Sequence, residues 1–279
     1  MGDLSAAGAR STPVPPPAQA MLRVQAVGRV FRRGGHEVEA LRDVSFHVEE
    51  REFVTLVGPS GCGKSTVLHI LGGFEQPSSG AITLGGEPVV RPGRDRGVVF
   101  QQPMLYDWWT VERNIAWPVE LGGASKREAR DRARELIQLV GLDGFETAYP
   151  AELSGGMQQR ASIARTLALE PKMLLMDEPF GALDAQTREL MQEELTRIAQ
   201  TSGTTVLFVT HDIYEAVFLG DRVLVMATQP GRVVETVDID LPRPRTPDAK
   251  RSERFLEYHN TLWDLLHDEA EAAQRRRRG

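Results

Sequence analysis

Cysteine is almost absent: Cys62 stands alone in the 279 residues. One thiol makes no internal disulfide and no cysteine-based metal site, so a reducing, cytosolic setting fits. Long apolar runs are missing too, since none approaches the ~18 residues needed to cross a bilayer. Residues 1–20, rich in Ala, Ser and Pro, lack the basic start and apolar centre of a secretory signal, and they read as a disordered tail. Positive charge is in deficit, with 33 Lys and Arg against 39 Asp and Glu for a net charge of −6. That balance argues against a broad basic face and so against a nucleic-acid partner. No internal repeat is visible. The remainder, 41% hydrophobic and 26% charged, has the make-up of a soluble globular chain with one generous domain or two small ones.

The pattern of what is present alternates strand and helix. From Leu22 to Val57 short β-branched stretches alternate with turns, and Val44–Val48 and Phe53–Val57 read as strands. Gly80–Leu84 and Gly97–Phe100 follow as further short strands, and Ser65–Leu71 as a helix. Residues 102–165 change character: Ser125–Val140 and Met157–Leu169 carry apolar positions at helical spacing, which predicts a mainly helical insertion. Met173–Met176 and Thr205–Val209 are continuous apolar runs, as parallel strands covered on both faces require. A helix over Ala185–Gln200 supplies their crossover. Val223–Met226 and Gly231–Glu235 read as late strands. Pro242, Pro244 and Pro247 mark a break before an amphipathic helix over Phe255–Ala270 and the basic run Arg275–Arg278.

Three stretches carry chemistry. Gly58-Pro59-Ser60-Gly61-Cys62-Gly63-Lys64-Ser65-Thr66 lies between a strand and a helix. Glycines there let backbone amides converge on phosphate oxygens, Lys64 adds a point charge, and the Ser65 hydroxyl suits Mg²⁺. A nucleotide phosphate with Mg²⁺ is therefore the expected ligand. Cys62 inside the loop is either a reactive thiol or a small residue tolerated in a tight turn. Met173–Met176 then ends in Asp177-Glu178, where Asp177 would hold the metal and Glu178 would take a proton from attacking water. A third stretch, Leu153-Ser154-Gly155-Gly156, puts a hydroxyl and glycine amides ahead of a helix, which serves either as an anion cap or as a plain helix N-cap.

Together these stretches resemble the nucleotide-binding subunits of ATP-binding cassette proteins, over about residues 22–240. The resemblance implies an α/β fold: a phosphate-loop NTPase core with a mainly helical insertion (about 102–165) and an N-terminal antiparallel β subdomain. The ATPase domain would run over 21–240, with a C-terminal helix and basic tail over 241–279. It further implies that Ser154, Gly155 and Gly156 bind the γ-phosphate held by an opposite subunit. Gln101 would sense metal and water, His211 would contact the γ-phosphate, and Asp184 would lie on the loop crossing the dimer seam. Phe31 stands where the family places an aromatic for adenine stacking, though it also reads as a core residue. The implied machine is a head-to-tail dimer closed by ATP and opened by hydrolysis.

The chain has one cassette, no membrane helices of its own, and too short a gap between loop and signature for a long coiled coil. An ATPase subunit docked on membrane permease subunits, at the cytoplasmic face of the membrane, is the reading this leaves. A soluble switch acting on a macromolecular complex is the alternative. Pro92–Gln101, Pro230–Glu235 and Leu241–Arg245 look like the nitrate, sulfonate and taurine branch of importers, whose cargo reaches the permease from an extracytoplasmic solute-binding protein, and Tyr149–Ser154 also looks importer-like. One departure stands out: Leu105-Tyr106-Asp107-Trp108-Trp109 replaces the branch's usual Leu-Pro-Trp. Trp108 and Trp109 either plug a partner groove or pack within the insertion. The Arg275–Arg278 run either touches anionic lipid or is a solvated tail.

Overall fold

The computed structural model describes residues 20–34 and 36–278. The tail expected over residues 1–20 lies outside the described residues except for Ala20, which is buried. In chain order the strands are β1 (Leu22–Arg33), β2 (His36–Val48), β3 (Phe53–Val57), β4 (Ser79–Leu84), β5 (Glu87–Pro88), β6 (Arg96–Val99), β7 (Met173–Asp177), β8 (Thr205–Thr210), β9 (Arg222–Ala227) and β10 (Arg232–Asp238). The helices are α1 (Lys64–Gly72), α2 (Val111–Leu121), α3 (Lys126–Leu139), α4 (Gly155–Leu167), α5 (Ala185–Ser202), α6 (Ile213–Leu219) and α7 (Glu253–Arg278).

The strands form two sheets. One has six strands in the order β10-β9-β3-β8-β7-β6, parallel except where β10 runs antiparallel along the edge. β3 and β8 at its centre are buried along their whole length. Side chains alternate across a strand, so the two faces feed two cores. Phe53, Val57, Val206 and Phe208 join the core shared with α2 to α7. Val54, Leu56, Leu207 and Val209 join the core shared with α1 and the second sheet. That second sheet is antiparallel, in the order β2-β1-β4-β5, and forms the expected β subdomain.

The structure corrects the sequence reading in several places. Phe53–Val57 is β3 as expected, but the short stretches before it are two long strands, β1 and β2, of 12 and 13 residues. Register shifts between Val24 and Val27 and again up to Val30 explain the broken pattern. At the first shift Ala26 takes φ 47, and Gly28 sits so close to β4 that a Cβ would come within 2.5 Å of Ser79 Oγ. Such bulges reset the alternation, so one strand reads as several. The sequence pattern does not mark helices α2 and α6. Pro118 lies inside α2, and α6 is only seven residues long. α7 extends beyond Ala270 to Arg278, but the side chains of the Arg275–Arg278 run lie outside the described residues.

After the proline-marked break the chain folds back on the end of α6. Arg245 is buried there, and its guanidinium donates to the carbonyls of Val217, Phe218 and Gly220 at 3.0, 3.1 and 2.6 Å. Burial pushes its pKa down to about 10, which still leaves it charged near neutral pH. A cation at a helix C-terminus satisfies the carbonyls that the helix itself cannot. Arg245→Met leaves those carbonyls unpaired in the interior, and at roughly 1–3 kcal/mol for each orphaned group the loss should reach about 3 kcal/mol. The check is a urea titration, where the midpoint should fall with the slope unchanged. An unaltered midpoint would show that this arginine does not hold the segment.

Candidate active site

The phosphate loop leaves β3 at Val57 and turns at Gly58, whose added Cβ would come 2.8 Å from the Met226 carbonyl. Gly61 and Gly63 take φ 78 and 95, a region open to glycine at little cost. Gly63 caps α1 with no side-chain hydrogen bond, so the first amides of the helix remain free for an anion. Lys64 is only 6% exposed, and its Nζ donates to the carbonyl of Gly58 at 2.7 Å and of Pro59 at 3.3 Å. Pro59, Ser60 and Thr66 complete the turn, with Ser60 exposed at its tip.

Neighbouring strands end beside this loop. Ser65 Oγ donates to Asp177 Oδ1 at 3.3 Å, joining the head of α1 to the end of β7. Burial raises the Asp177 carboxyl above its usual range, and the Ser65 hydroxyl offsets part of that shift. Glu178 follows in the left-handed region, φ 44, with its N–H bonded to the Val209 carbonyl at 3.0 Å. Because β7 pairs with β8 up to Asp177 and Val209, His211 just past β8 lies beside Glu178. Its Nδ1 stands 3.0 Å from Glu178 Oε2. Gln101, just past β6, is exposed, and a Cβ on Gly181 would come 2.9 Å from its Nε2. These residues therefore gather outside the carboxyl ends of parallel strands, where open α/β sheets bind ligands.

Among the described residues no group of three or more His, Cys, Asp or Glu is arranged to hold a metal. A hydroxyl and a carboxylate within 3.3 Å of each other, next to a phosphate cradle, nevertheless suit Mg²⁺. That ion takes one or two protein oxygens and completes its shell with water and phosphate. The donor set fits the ion.

The other expected site residues are not brought to this cluster. Ser154 Oγ accepts from the Met157 N–H at 3.3 Å and so caps α4. Gly155 and Gly156 pack toward Leu183 and Thr187, the latter so closely that a Cβ on Gly156 would meet Thr187 Cγ2 at 2.6 Å. Asp184 caps α5 through the Gln186 and Thr187 amides, and the Thr187 hydroxyl holds its carboxyl below the usual range. Ser154, Gly155 and Asp184 are exposed. Among the described residues no hydrogen bond or ion pair links Ser154 or Asp184 to Lys64, Ser65, Asp177 or Glu178. Phe31 lies half-buried on β1 outside both apolar cores, with the Arg29 guanidinium 4.6 Å from its ring centre.

Trp108 is 70% exposed, whereas Trp109 packs on Tyr106, Trp117 and Arg113. Trp109 therefore packs within the insertion, and Trp108 is left exposed beside it. Two residues next to the site escaped the sequence reading: Thr210 and the buried Glu215. A carboxylate inside the apolar run Ile213–Leu219 was the available signal.

Cys62 is 1% exposed, and burial pushes its thiol up more than nearby Lys64 pulls it down. Its sulfur packs under Gly58, 2.7 Å from where a Cβ would stand, so the small residue in a tight turn is what the fold uses. A buried thiol of raised pKa is inert. An aromatic disulfide reagent at neutral pH should leave the native protein unlabelled and label it once urea unfolds it. Rapid labelling of the native form would restore the reactive-thiol reading.

The described geometry has close relatives. A family model described as ABC transporter matches residues 41–181. The taurine import ATP-binding protein TauB of Rhizobium johnstonii is 50% identical over 253 residues, which cover 88% of this chain and 97% of that one. The nitrate import ATP-binding protein NrtD of Synechocystis is 45% identical over 251 residues, covering 88% of this chain and 94% of its own length. Among solved structures, the dimeric post-hydrolysis state of the ATP-binding cassette MJ0796, bound to ADP and Pi, aligns with a TM-score of 0.70 at 34% identity, covering 80% of this chain and 100% of that one. Similarity of this breadth shows that the chain belongs to the ABC transporter family, as one of its ATP-hydrolysing cassettes.

Proposed function

We propose that the chain powers an importer as a pair of copies facing head to tail, with two ATP molecules between them. The observation that carries the ATPase step of this reading is the Glu178–His211 contact of 3.0 Å beside the Ser65–Asp177 contact of 3.3 Å, while the import and the pairing rest on the relatives. The loop amides and Lys64 bind the outer phosphates of ATP. Ser65, Asp177 and Gln101 would hold Mg²⁺, which when bound neutralises charge on the transferring phosphoryl oxygens. Glu178 accepts the proton of the attacking water, and His211, donating from Nδ1, orients that carboxylate. Ser154, Gly155 and Asp184 are exposed and unconnected to the chain's own phosphate loop, with Gly156 buried behind them, which supports a site completed by a second copy. Phe31 would stack on adenine.

The output surface lies where the helical insertion meets the nucleotide-binding core. A cavity of about 240 Å³ opens between Phe74, Phe100, Pro118, Arg165 and Leu169. Arg165 bonds the Met104 carbonyl and lies 5.6 Å from the Tyr106 ring centre, next to exposed Trp108. Apolar lining with an aromatic rim suits a helix of a permease subunit. None of the described helices is long and apolar enough to cross a membrane, so the cassette would be held at the cytoplasmic face through that permease. Kinship with TauB and NrtD points to a small anion of the taurine, nitrate or sulfonate kind as cargo, delivered by a solute-binding protein.

Glu178→Gln should cut turnover by about 10²- to 10⁴-fold while sparing nucleotide binding. Lys64→Ala should lose ATP binding, and Ser154→Ala should keep it but turn over slowly. Equal loss of affinity in both would count against the composite site. Tagged Glu178→Gln protein, purified in detergent with ATP and Mg²⁺, should retain a polytopic membrane protein. Recovery of ribosomes or only soluble proteins would overturn the transport reading.

A further inference from the structure

We propose that Glu215 is the positioning residue for His211, acting through Thr210. The inference rests on the role given to His211 above and adds what holds that histidine in place. Glu215 is 5% exposed, in a helix whose other residues are mostly apolar. A carboxylate is costly to bury and persists only where donors satisfy it. Here Thr210 Oγ1 donates to Oε2 at 2.5 Å and Gln192 Nε2 donates to Oε1 at 3.2 Å. Arg188 Nε adds a cation 3.9 Å from Oε1.

The first of these bonds fixes the histidine. A hydroxyl has one proton, and Thr210 commits it to Glu215. Its lone pair then faces the Asp212 N–H, which donates to it at 3.0 Å. Thr210 and Asp212 flank His211, so the hydroxyl bridges the backbone on both sides of it. Asp212 is also tied down, capping α6 through the Tyr214 and Glu215 amides at 2.8 and 3.3 Å. The backbone that aims His211 at Glu178 is therefore closed into a ring of hydrogen bonds through the Glu215 carboxylate. His211 itself is exposed, so packing alone does not fix it.

The carboxylate also ties this ring to α5. Gln192 Oε1 accepts from Lys250 Nζ at 3.1 Å, which sets the amide so that its NH₂ faces Glu215. α5 begins at the Asp184 cap. One buried carboxylate thus joins the strand end carrying His211 to the helix that starts at the proposed dimer seam.

The test uses full-length protein and four variants. Thr210→Val keeps the shape and removes the hydroxyl, Thr210→Ser keeps the hydroxyl, Glu215→Gln is isosteric, and His211→Ala marks the underlying reading. Thr210→Val should lower kcat for ATP hydrolysis by about 10- to 100-fold, the scale of a misplaced catalytic group. Nucleotide affinity should stay at the wild-type value, while the unfolding midpoint falls modestly because Glu215 loses a donor, with the protein still folded at the assay temperature. Thr210→Ser should restore kcat, and Glu215→Gln should behave like Thr210→Val. The His211 ring resonance, assigned by its loss in His211→Ala, should move and broaden in Thr210→Val and return in Thr210→Ser. Wild-type turnover in Thr210→Val and Glu215→Gln, with His211→Ala inactive, would overturn the positioning role alone. Turnover that falls only in step with nucleotide affinity would do the same. A fully active His211→Ala would overturn the role of the histidine and this inference with it.

Discussion

An anion as charged as a nucleotide phosphate is held by unpaired amides and a cation gathered at one point, and the fold is arranged around that requirement. Free amides at a helix head are normally taken by a side-chain cap. Here α1 begins after Gly63 at φ 95, a residue that has no side chain to cap with. The loop must also be rigid, or its order would be lost to entropy. Rigidity comes from below: β3 is the most central strand next to β8, buried on both faces and flanked by β8 and β9. Even the lysine is drawn in, with its ammonium on the Gly58 and Pro59 carbonyls.

From that point the sheet dictates where the remaining chemistry can stand. Parallel strands end on the same side, so residues distant in sequence meet without any special device: Asp177 and Glu178 past β7, His211 past β8, Gln101 past β6. The same geometry limits what one chain can do. Ser154 and Asp184 lie at the heads of α4 and α5, on segments packed together through Gly156 and Thr187. A ligand that touches both a phosphate loop and such a segment on another copy favours the closed pair over the open one. Its effect is set by that difference in contact, and hydrolysis removes part of it.

How much of this was legible in the sequence depended on whether each signal was local. Phe53–Val57 followed by the glycine loop and Met173–Met176 followed by two carboxylates are short windows, each complete in itself. Thr205–Val209 was legible as a strand because both of its faces are buried. β1 and β2 were not legible at full length, because bulges near Ala26 and Gly28 reset the alternation that identifies a strand. Glu215 was missed for the opposite reason: nothing near it in sequence marks it except its own misfit in an apolar helix. Its partners, Thr210 and Gln192, are defined only by the packing of β8, α5 and α6. Contacts between elements leave no periodic trace.

The helix caps show where even a complete local signal stays ambiguous. Ser154, Asp184 and Asp212 all cap helices in this fold. Any of them would be favoured at its position for that reason alone. Their chemistry separates them further. Ser154 accepts the Met157 N–H with a lone pair and keeps its own proton, so it can cap α4 and still donate to a phosphate. An ionised Asp184 has only acceptors, and both of its oxygens are already engaged with α5. Whatever meets Asp184 at a seam must therefore bring a donor: an amide, a hydroxyl or a water, and not a phosphate oxygen. The two residues lie on adjoining segments, but in the proposed pair they would address different groups, one the nucleotide and the other the facing chain.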